Sequence, residues 1–411
     1  MPSCQIGSLL KSKDMASAQT ERQLNDERVS VIIPTYNRAH FIVECIDAIL
    51  SQTVRVSEII VVNDGSTDGT IKALSPYMDR IIYLEKPNGG KSSALNLGLA
   101  HATGDFIWIC DDDDLYLSDA LETHLSAFKE DPDIDFTYSA YHVAVSDTNT
   151  GKLMIIETCE AFRGQSQSLF LSFAFGAAGA GIGFMLQQGM LVRRYCYDTV
   201  GPFDESLTAS EDLDMNLRLC QSFKGRRVEK ATFIVRRHSG IRGPSRDLYS
   251  FEERDKKLKE TDRIVFRKIC RTIPIVKYLD NTNIEENYDG WQGEALLTRA
   301  RIMAKWGLDD LVIKDFETFK ELISRGKISL NEKTLDQIFF IESLCHRLRM
   351  RMLARFIQGA IIDLLKLTAE DKKAKRYAAR YYYWKGRERF KFGERKELLS
   401  GIIRALNVLR C

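Results

Sequence analysis

The sequence lacks the features that mark several large classes of protein. Its nine cysteines form no CxxC pair and no Cys/His cluster at the spacing of zinc ligands, which argues against a zinc ribbon and predicts reduced thiols in a cytosolic compartment. It also lacks an excess of charge of one sign, because 59 lysines and arginines face 57 aspartates and glutamates. A net charge of +2 over 411 residues argues against nucleic acid as a partner.

The chain also lacks a clear membrane segment. Residues 1–28 are polar, contain no apolar core of a signal peptide, and are predicted to be a flexible lead-in. An uncharged stretch lies between Arg163 and Arg193, but its glycines, Gly183 among them, and the Gln187-Gln188 pair dilute its hydrophobicity. We predict a loop of small residues or short helices packed over a pocket, with a lipid-facing role as the alternative.

The first half of the chain alternates strand and helix patterns. Four short β-branched apolar runs, each followed by a turn-forming cluster, occur at residues 29–34, 58–62, 80–84 and 105–109. Helical patterns lie between them at 40–51 and 93–102. This alternation predicts an α/β domain at 29–245, with a doubly wound, mostly parallel sheet, helices on both faces, and ligands at the carboxyl ends of the strands.

Proline almost disappears from the second half, where Pro274 alone remains after residue 246. Amphipathic helical patterns replace the strands, so residues 246–411 are predicted to be all-helical, with helix pairs at 291–323 and 373–409 around central glycines. Residues 346–411 hold 18 lysines and arginines against 6 acids. This basic segment either lies on an anionic membrane surface or forms a solvated helical domain.

An acidic turn follows the fourth predicted strand at residues 111–114. Carboxylates held so close together repel each other, and a divalent cation such as Mg²⁺ or Mn²⁺ relieves that repulsion. The alternative is a solvated turn that caps the next helix, and this alternative suits Asp114 better than Asp111 or Asp113.

Two further loops carry groups suited to a phosphorylated ligand. Asn88-Gly89-Gly90-Lys91-Ser92 is not a P-loop, because Glu85 stands where that motif needs glycine, yet its glycines and Lys91 suit phosphate. At the tip of the second strand, Asp64 is left for ligand recognition, since the residues after it read as a turn and a helix cap.

Later in the chain, Glu211, Asp212 and Asp214 begin a helical pattern that includes Arg218. They are either charges that stabilise a helix start or carboxylates able to accept a proton. His238 stands among cations and is either structural or a metal ligand.

Residues 29–243 resemble the family 2 glycosyltransferases of the GT-A fold. The resemblance rests on motifs that occur in the family's order, namely Pro34-Thr35-Tyr36-Asn37, VVNDGSTD at 61–68, NGGKSSALNLG at 88–98, Asp111-Asp112-Asp113, GPFDE at 201–205 and Glu211-Asp212. It implies an inverting transfer in which Asp212 is the general base that takes the proton of the acceptor hydroxyl.

The resemblance also implies roles for the other motif residues. The donor nucleotide would be held by Pro34, Thr35, Tyr36, Asn37, Asp64, Lys91, Asp111 and Asp112. Asp113 and His238 would bind Mn²⁺ or Mg²⁺, while Glu211, Arg218 and Gly183 would be acceptor-side or supporting residues.

The QxxRW element of processive synthases is missing, which favours the addition of a single sugar. The sequence therefore predicts transfer from a UDP-sugar to a glycan or lipid-linked glycan, as in cell-surface polysaccharide synthesis, in the cytoplasm or at the inner face of the membrane. The alternatives are a nucleotidyltransferase, whose GxGTR opening is missing after residues 29–34, and a non-catalytic scaffold that binds nucleotide sugars.

Overall fold

A computed structural model describes residues 27–146, 152–161, 168–176, 185–238, 250, 253–279, 290–367, 372–391 and 404. The chain divides into two compact units. One comprises Met1–Gln165 and Gly179–Asp262, and the other comprises Ser166–Ala178 and Arg263–Cys411. Gly183 and all of the predicted lead-in except residues 27 and 28 lie outside the described residues. Arg28 is tied to the fold through an ion pair with Asp105 at 2.9 Å.

The first unit contains the strands. They are β1 (Val29–Thr35), β2 (Glu58–Asn63), β3 (Ile82–Glu85), β4 (Phe106–Ile109), β5 (Leu115–Tyr116), β6 (Phe136–Ser146), β7 (Leu153–Cys159), β8 (Met190–Arg193) and β9 (Gly225–Arg237). Its helices before residue 250 are α1 (Ile42–Leu50), α2 (Thr70–Leu74), α3 (Lys91–His101), α4 (Ala120–Glu130), α6 (Arg194–Val200) and α7 (Glu211–Ser222).

These strands form one sheet in the order β3-β2-β1-β4-β8-β6-β9-β5, with β7 paired to β6. The first four strands are parallel, as the alternation of strands and helices predicts. Beyond β4 the sheet is mixed, because β8 runs antiparallel to both β4 and β6 while β6 and β9 are parallel. The α/β prediction is confirmed, and its parallel character is confined to β1–β4 and the β6–β9 pair.

The core of this unit explains why β1 and β2 read as continuous apolar runs. Val31, Ile33 and Val61 are fully buried, and α1 contributes the buried face of Cys45 and Ile46 to the same cluster. Helix α3 packs closely on the sheet at Gly98, where an added Cβ would lie 2.4 Å from Cγ2 of Ile32. Buried helices and strands thus hold the carboxyl ends of β1, β2 and β4 in fixed positions.

Helices make up the second unit. It contains α5 (Leu169–Gly176), α9 (Trp291–Lys305), α10 (Asp309–Ser324), α11 (Glu332–Arg347), α12 (Arg351–Leu367) and α13 (Lys372–Lys391). The boundary between the two units falls within α8 (Arg254–Thr272), after Asp262. The predicted pair of helices at 291–323 is confirmed, and Gly307 joins α9 to α10 with a φ of +66°.

Of the two glycines predicted to divide the helix pair at 373–409, Gly386 does not interrupt a helix. Helix α13 continues through Gly386 to Lys391, because a single glycine costs a helix only about 1 kcal/mol. Tertiary packing outweighs that amount, since Tyr381 of α13 stacks on Phe339 of α11 with ring centroids 3.8 Å apart. Gly393, the other glycine of this prediction, lies outside the described residues. Within the described part of the chain, no helix is both long and apolar enough to span a bilayer.

Candidate active site

A cleft opens in the first unit where β1, β2 and β4 end. Of the residues predicted to hold a nucleotide, seven line it: Pro34, Thr35, Tyr36, Asp64, Lys91, Asp111 and Asp112. Asp113 and Glu211 line it too. Further lining residues were not predicted from the sequence, and they include Arg38, Leu207 and Thr208. The motifs that are far apart in sequence therefore meet in one concave site.

Asp64 organises the glycine-rich loop that borders the cleft. Its carboxylate accepts hydrogen bonds from the backbone N–H groups of Gly89 at 2.9 Å and Gly90 at 2.7 Å. The ammonium group of Lys86 lies 2.7 Å from the same carboxylate. Gly90 has a φ of +93°, a conformation that glycine adopts without strain. Asp64 is only 3% exposed, so its first effect is to fix this loop.

Asn37 joins two loops and does not line the cleft. Its side-chain carbonyl oxygen accepts a hydrogen bond from the backbone of Thr67 at 2.8 Å, and its own N–H donates to the hydroxyl of Ser66 at 2.9 Å. The turn after β1 is thereby tied to the turn after β2. A φ of +54° at Asn37 suits this link, since asparagine tolerates left-handed backbone better than most residues.

The acidic turn after β4 gathers three carboxylates. One oxygen from each of Asp111, Asp113 and Asp114 lies within 4.8 Å of the others. The expectation that Asp114 is a solvated cap is wrong, because Asp114 is 3% exposed and accepts a hydrogen bond from the backbone N–H of Arg236 at 3.0 Å. Its place in the cluster comes from β9, which runs beside it and supplies this donor.

Oxygen ligands of this kind suit Mg²⁺ or Mn²⁺. The imidazole Nε2 of His238 lies 2.8 Å from Oδ2 of Asp113, so the two predicted metal ligands are neighbours. Asp112 faces Arg38 instead, at 3.9 Å. Burial, together with the charge of Asp113, raises the pKa of Asp112 to about 8. The donor set therefore fits a divalent cation, and the turn holds more negative charge than it can easily keep ionised without one.

Cations flank this turn on two sides. The ammonium group of Lys91 lies 2.6 Å from Asp111 and 3.7 Å from Glu211. Burial alone would lower the pKa of Lys91, but these carboxylates outweigh that effect and raise it. On another side, the guanidinium group of Arg38 lies 3.6 Å from Asp113.

Gln188 and Arg236 support the acidic turn from behind. The amide of Gln188 donates to Asp111 and, at 3.2 Å, to Asp114, so one side chain joins two members of the cluster. Arg236 forms an ion pair with Glu44 at 2.6 Å and lies over the ring of Phe41. In the sequence, Gln188 is marked by the Gln187-Gln188 pair, which stands out in a stretch of small residues. Nothing in the sequence alone marks Arg236, because its contacts depend on the pairing of β9.

The Glu211-Asp212 pair lies in the first turn of α7. Ser210 precedes it with a φ of +60°, and its hydroxyl donates to Asp262 at 2.6 Å and lies 2.7 Å from the hydroxyl of Thr261. Two side chains of α8 thus hold a left-handed residue immediately before Glu211, two residues before the predicted base. Burial raises the pKa of Glu211, while Asp212 is half-buried and its carboxylate accepts the N–H of Leu213.

Arg218 is not among the residues that line the cleft. Its guanidinium group is 2.8 Å from Asp214, which is fully buried, and it donates to the backbone carbonyls of Val200, Gly201 and Pro202. This arrangement attaches the turn at 201–205 to α7. The sequence predicts either an acceptor-side or a supporting role for Arg218, and these contacts are those of a supporting residue.

The comparisons with known proteins agree with these motifs. A family model described as "Glycosyl transferase family 2" matches residues 30–197. The uncharacterised glycosyltransferase YwdF of Bacillus subtilis is 30% identical over 210 residues, which are 50% of this chain and 73% of YwdF. An uncharacterised glycosyltransferase of Rickettsia conorii is 39% identical over 134 residues, which are 32% of this chain and 22% of that protein.

Among solved structures, Staphylococcus aureus TarS 1–349 in complex with UDP-GlcNAc is similar over 80% of this chain and 90% of that one, with 19% identity and a TM-score of 0.46. The match spans less than two thirds of several curated relatives, with 22% of the Rickettsia conorii protein and 57% of a Rickettsia typhi relative.

Proposed function

The chain belongs to glycosyl transferase family 2, and from this membership we propose that it transfers a single sugar from a nucleotide-diphosphate sugar to a hydroxyl group, with inversion at the anomeric carbon. The observation that carries the proposal is the convergence of three charged groups on one cleft. These are the acidic cluster after β4, Lys91 at the start of α3, and Glu211 at the start of α7, which lines the cleft with Asp212 next to it in the same helical turn. Such a site can hold a diphosphate and an acceptor side by side.

For the donor, we propose a UDP-sugar whose base and ribose contact the end of β1. Pro34, Thr35 and Tyr36 line the cleft there and offer the ring and backbone groups that a base requires. Asp64 would accept the N–H of a uracil ring, and its hydrogen bonds to the glycine-rich loop hold its carboxylate in place for that contact. Asn37 would act through the loop that it ties to β2.

A divalent cation, Mn²⁺ or Mg²⁺, would be held by Asp113 and His238, with Asp111 and Asp114 within reach. Such an ion supplies charge neutralisation to the departing nucleoside diphosphate. Asp111 and Asp112 border the donor on the ribose side, and Lys91 balances the charge of Asp111. His238 keeps its position beside Asp113 through its contact with the ring of Phe41, whose centroid is 4.9 Å away.

Asp212 is the group that we propose as general base. It is half-buried in the first turn of α7, next to Glu211, which lines the cleft. Glu211 has a different environment, because it is close to Lys91 and burial raises its pKa. The acceptor hydroxyl would give its proton to Asp212 as its oxygen attacks the anomeric carbon.

We propose a glycan or lipid-linked glycan as the acceptor, in the synthesis of a cell-surface polysaccharide. The basic character of residues 346–411 supports a peripheral contact with the inner, cytoplasmic face of an anionic membrane, where such an acceptor would be available. Gly183 would contribute to the acceptor side of the site.

Two variants separate donor binding from transfer. Asp212→Asn is expected to lower the rate of transfer by about 100-fold or more while UDP binds as in the wild type, because only the base is lost. Asp113→Ala is expected to weaken the part of UDP binding that depends on Mn²⁺. Calorimetry with UDP and Mn²⁺ and product formation from a panel of UDP-sugars measure the two effects.

Asp133→Asn is the matched control, since Asp133 is an exposed aspartate of the same unit, outside the cleft. It is expected to leave both measurements unchanged. Transfer at the wild-type rate by Asp212→Asn would exclude Asp212 as the base. A wild-type affinity for UDP that is the same with and without Mn²⁺ would exclude the proposed metal site.

A further inference from the structure

The turn between α11 and α12 in the second unit concentrates positive charge. Four arginines occur within nine residues, at positions 347, 349, 351 and 355, and we call residues 347–355 the arginine turn. Helix α11 ends at Arg347 and α12 begins at Arg351, so three residues link the two helices. Arg349 has a φ of +60°, which is uncommon for a residue other than glycine.

The charge of the arginine turn is not neutralised within the described structure. All four arginines are exposed, and none of their guanidinium groups forms an ion pair with a described residue. The nearest acids in sequence are Glu342 and Asp363, and both have other partners. Glu342 is buried and lies 3.1 Å from Lys385, while Asp363 lies 2.7 Å from Lys320.

Apolar side chains alternate with these arginines and are exposed as well. Met352 is 83% exposed and Leu348 is 47% exposed. The core of the unit does not need them, because α12 buries its opposite face through Leu353, Ala354 and Ile357. A single exposed apolar residue is ordinary, but here Met352 and Leu348 are exposed together beside the four arginines. The alternation of guanidinium and apolar groups fits a surface that offers both phosphate and hydrocarbon.

We propose that the arginine turn docks on the surface of an anionic lipid bilayer. The guanidinium groups would bind lipid phosphates through paired N–H donors, and Met352 and Leu348 would enter the boundary between headgroups and acyl chains. Charge complementarity identifies the partner as anionic, and the exposed apolar side chains favour a bilayer over a polyanion dissolved in water. The proposal deepens the proposed function and rests on it for its purpose, since a lipid-linked acceptor is reached at such a surface.

Vesicle sedimentation of the full chain, without donor or metal, tests the contact independently of catalysis. Vesicles containing anionic phosphatidylglycerol are compared with vesicles of phosphatidylcholine alone. The double variant Arg349→Gln/Arg351→Gln is expected to partition about 25-fold more weakly onto anionic vesicles, at about fivefold for each charge. Met352→Ser is expected to lose about tenfold at a salt concentration where part of the electrostatic attraction is screened.

The matched control is Arg325→Gln/Lys327→Gln. It removes the same charge from exposed residues near the other end of α11, which at 16 residues is about 24 Å long. Wild-type binding in this control, with loss in the arginine-turn variant, supports the proposal. An equal loss in both variants shows a general charge effect and overturns it.

Two further results would also overturn the proposal. The first is the absence of any preference for anionic vesicles. The second is that soluble polyphosphate displaces the protein from the vesicles completely and that Met352→Ser binds polyphosphate as tightly as the wild type. Thermal melting of each variant checks that the second unit is folded. Because sedimentation needs no turnover, a failure here leaves the Asp212 experiment intact, and failure of that experiment leaves this one intact.

Discussion

Replacing Arg218 by methionine should show how the turn at 201–205 is held to the helix that carries Asp212. Methionine retains much of the apolar stem and removes the guanidinium group. That group is 2.8 Å from Asp214 and donates to three backbone carbonyls, those of Val200, Gly201 and Pro202. Asp214 is fully buried, whereas the arginine side chain is 17% exposed. The substitution therefore leaves a buried carboxylate without its cation.

Removing one partner of a buried ion pair costs about 3–5 kcal/mol. A unit of this size loses about 2–4 °C of melting temperature for each kcal/mol, so the Arg218→Met variant should melt about 6–20 °C below the wild type. Arg218→Lys keeps the charge but loses the planar fork that reaches several acceptors, and it should fall between the two. The double variant Asp214→Asn/Arg218→Met should recover part of the loss, because no carboxylate is then left unpaired.

Thermal unfolding and steady-state kinetics together distinguish a supporting residue from a residue that contacts the acceptor. Support predicts a lower melting temperature with loss of activity as the temperature rises. Contact with the acceptor predicts a raised KM for acceptor and an unchanged melting temperature. Arg226→Met is the matched control, since Arg226 pairs with Glu130 near the surface, where 65% of the glutamate side chain is exposed. Melting of Arg218→Met within 2 °C of that control would refute the reasoning.

Two other substitutions test the packing and the electrostatics of the same unit. Gly98→Ala should lower the free energy of unfolding by about 1–3 kcal/mol in denaturant titrations, because its Cβ would lie 2.4 Å from Ile32, whereas Gly359→Ala, whose Cβ meets nothing, should be neutral or stabilising. Burial, aided by the charge of Asp212 and opposed by the Ser210 hydroxyl, raises the pKa of Asp262 to about 6. The folded state therefore binds this proton more tightly than the unfolded state, and stability should fall by about 2 kcal/mol as pH rises from about 4 to 6. Asp262→Asn should abolish that slope, and an unchanged slope in urea titrations across this range would contradict the assignment.

The sequence predicts β1, β2 and β4 of the parallel half of the sheet well because those strands are buried on both faces. The run at 29–34 became β1 (Val29–Thr35), and the run at 58–62 became β2 (Glu58–Asn63), so the boundaries differ by one residue at most. Strands β6 to β9 carry no such signal. Strand β9 contains six charged residues, and its place in the sheet is set by pairing with β6 and not by an apolar pattern of its own.

Whether the position of a residue in the site can be predicted depends on how many of its contacts are local in sequence. Asp64 directly follows β2, and Lys91 begins the helix after the short loop that follows β3, so predicting the strands is enough to bring both to the edge of the sheet. Gln188 reaches the acidic turn only through β8, and Arg236 only through β9. His238 depends on β9 as well. The exact partners of Asp114 could not be predicted either, because its donor is a backbone group of β9.

Lys91 shows how a local prediction changes once the partners are known. From the glycine-rich loop, it is expected to face a phosphate, and the resemblance places it among the residues that hold the donor. Its ammonium group lies between Asp111 and Glu211, so it already neutralises carboxylates from two separate segments. A diphosphate that approaches Lys91 adds negative charge to this region, and a divalent cation on the acidic cluster compensates for it. Donor and cation should therefore strengthen each other's binding, which is the physical reason to expect that Asp113→Ala removes the Mn²⁺-dependent part of UDP binding.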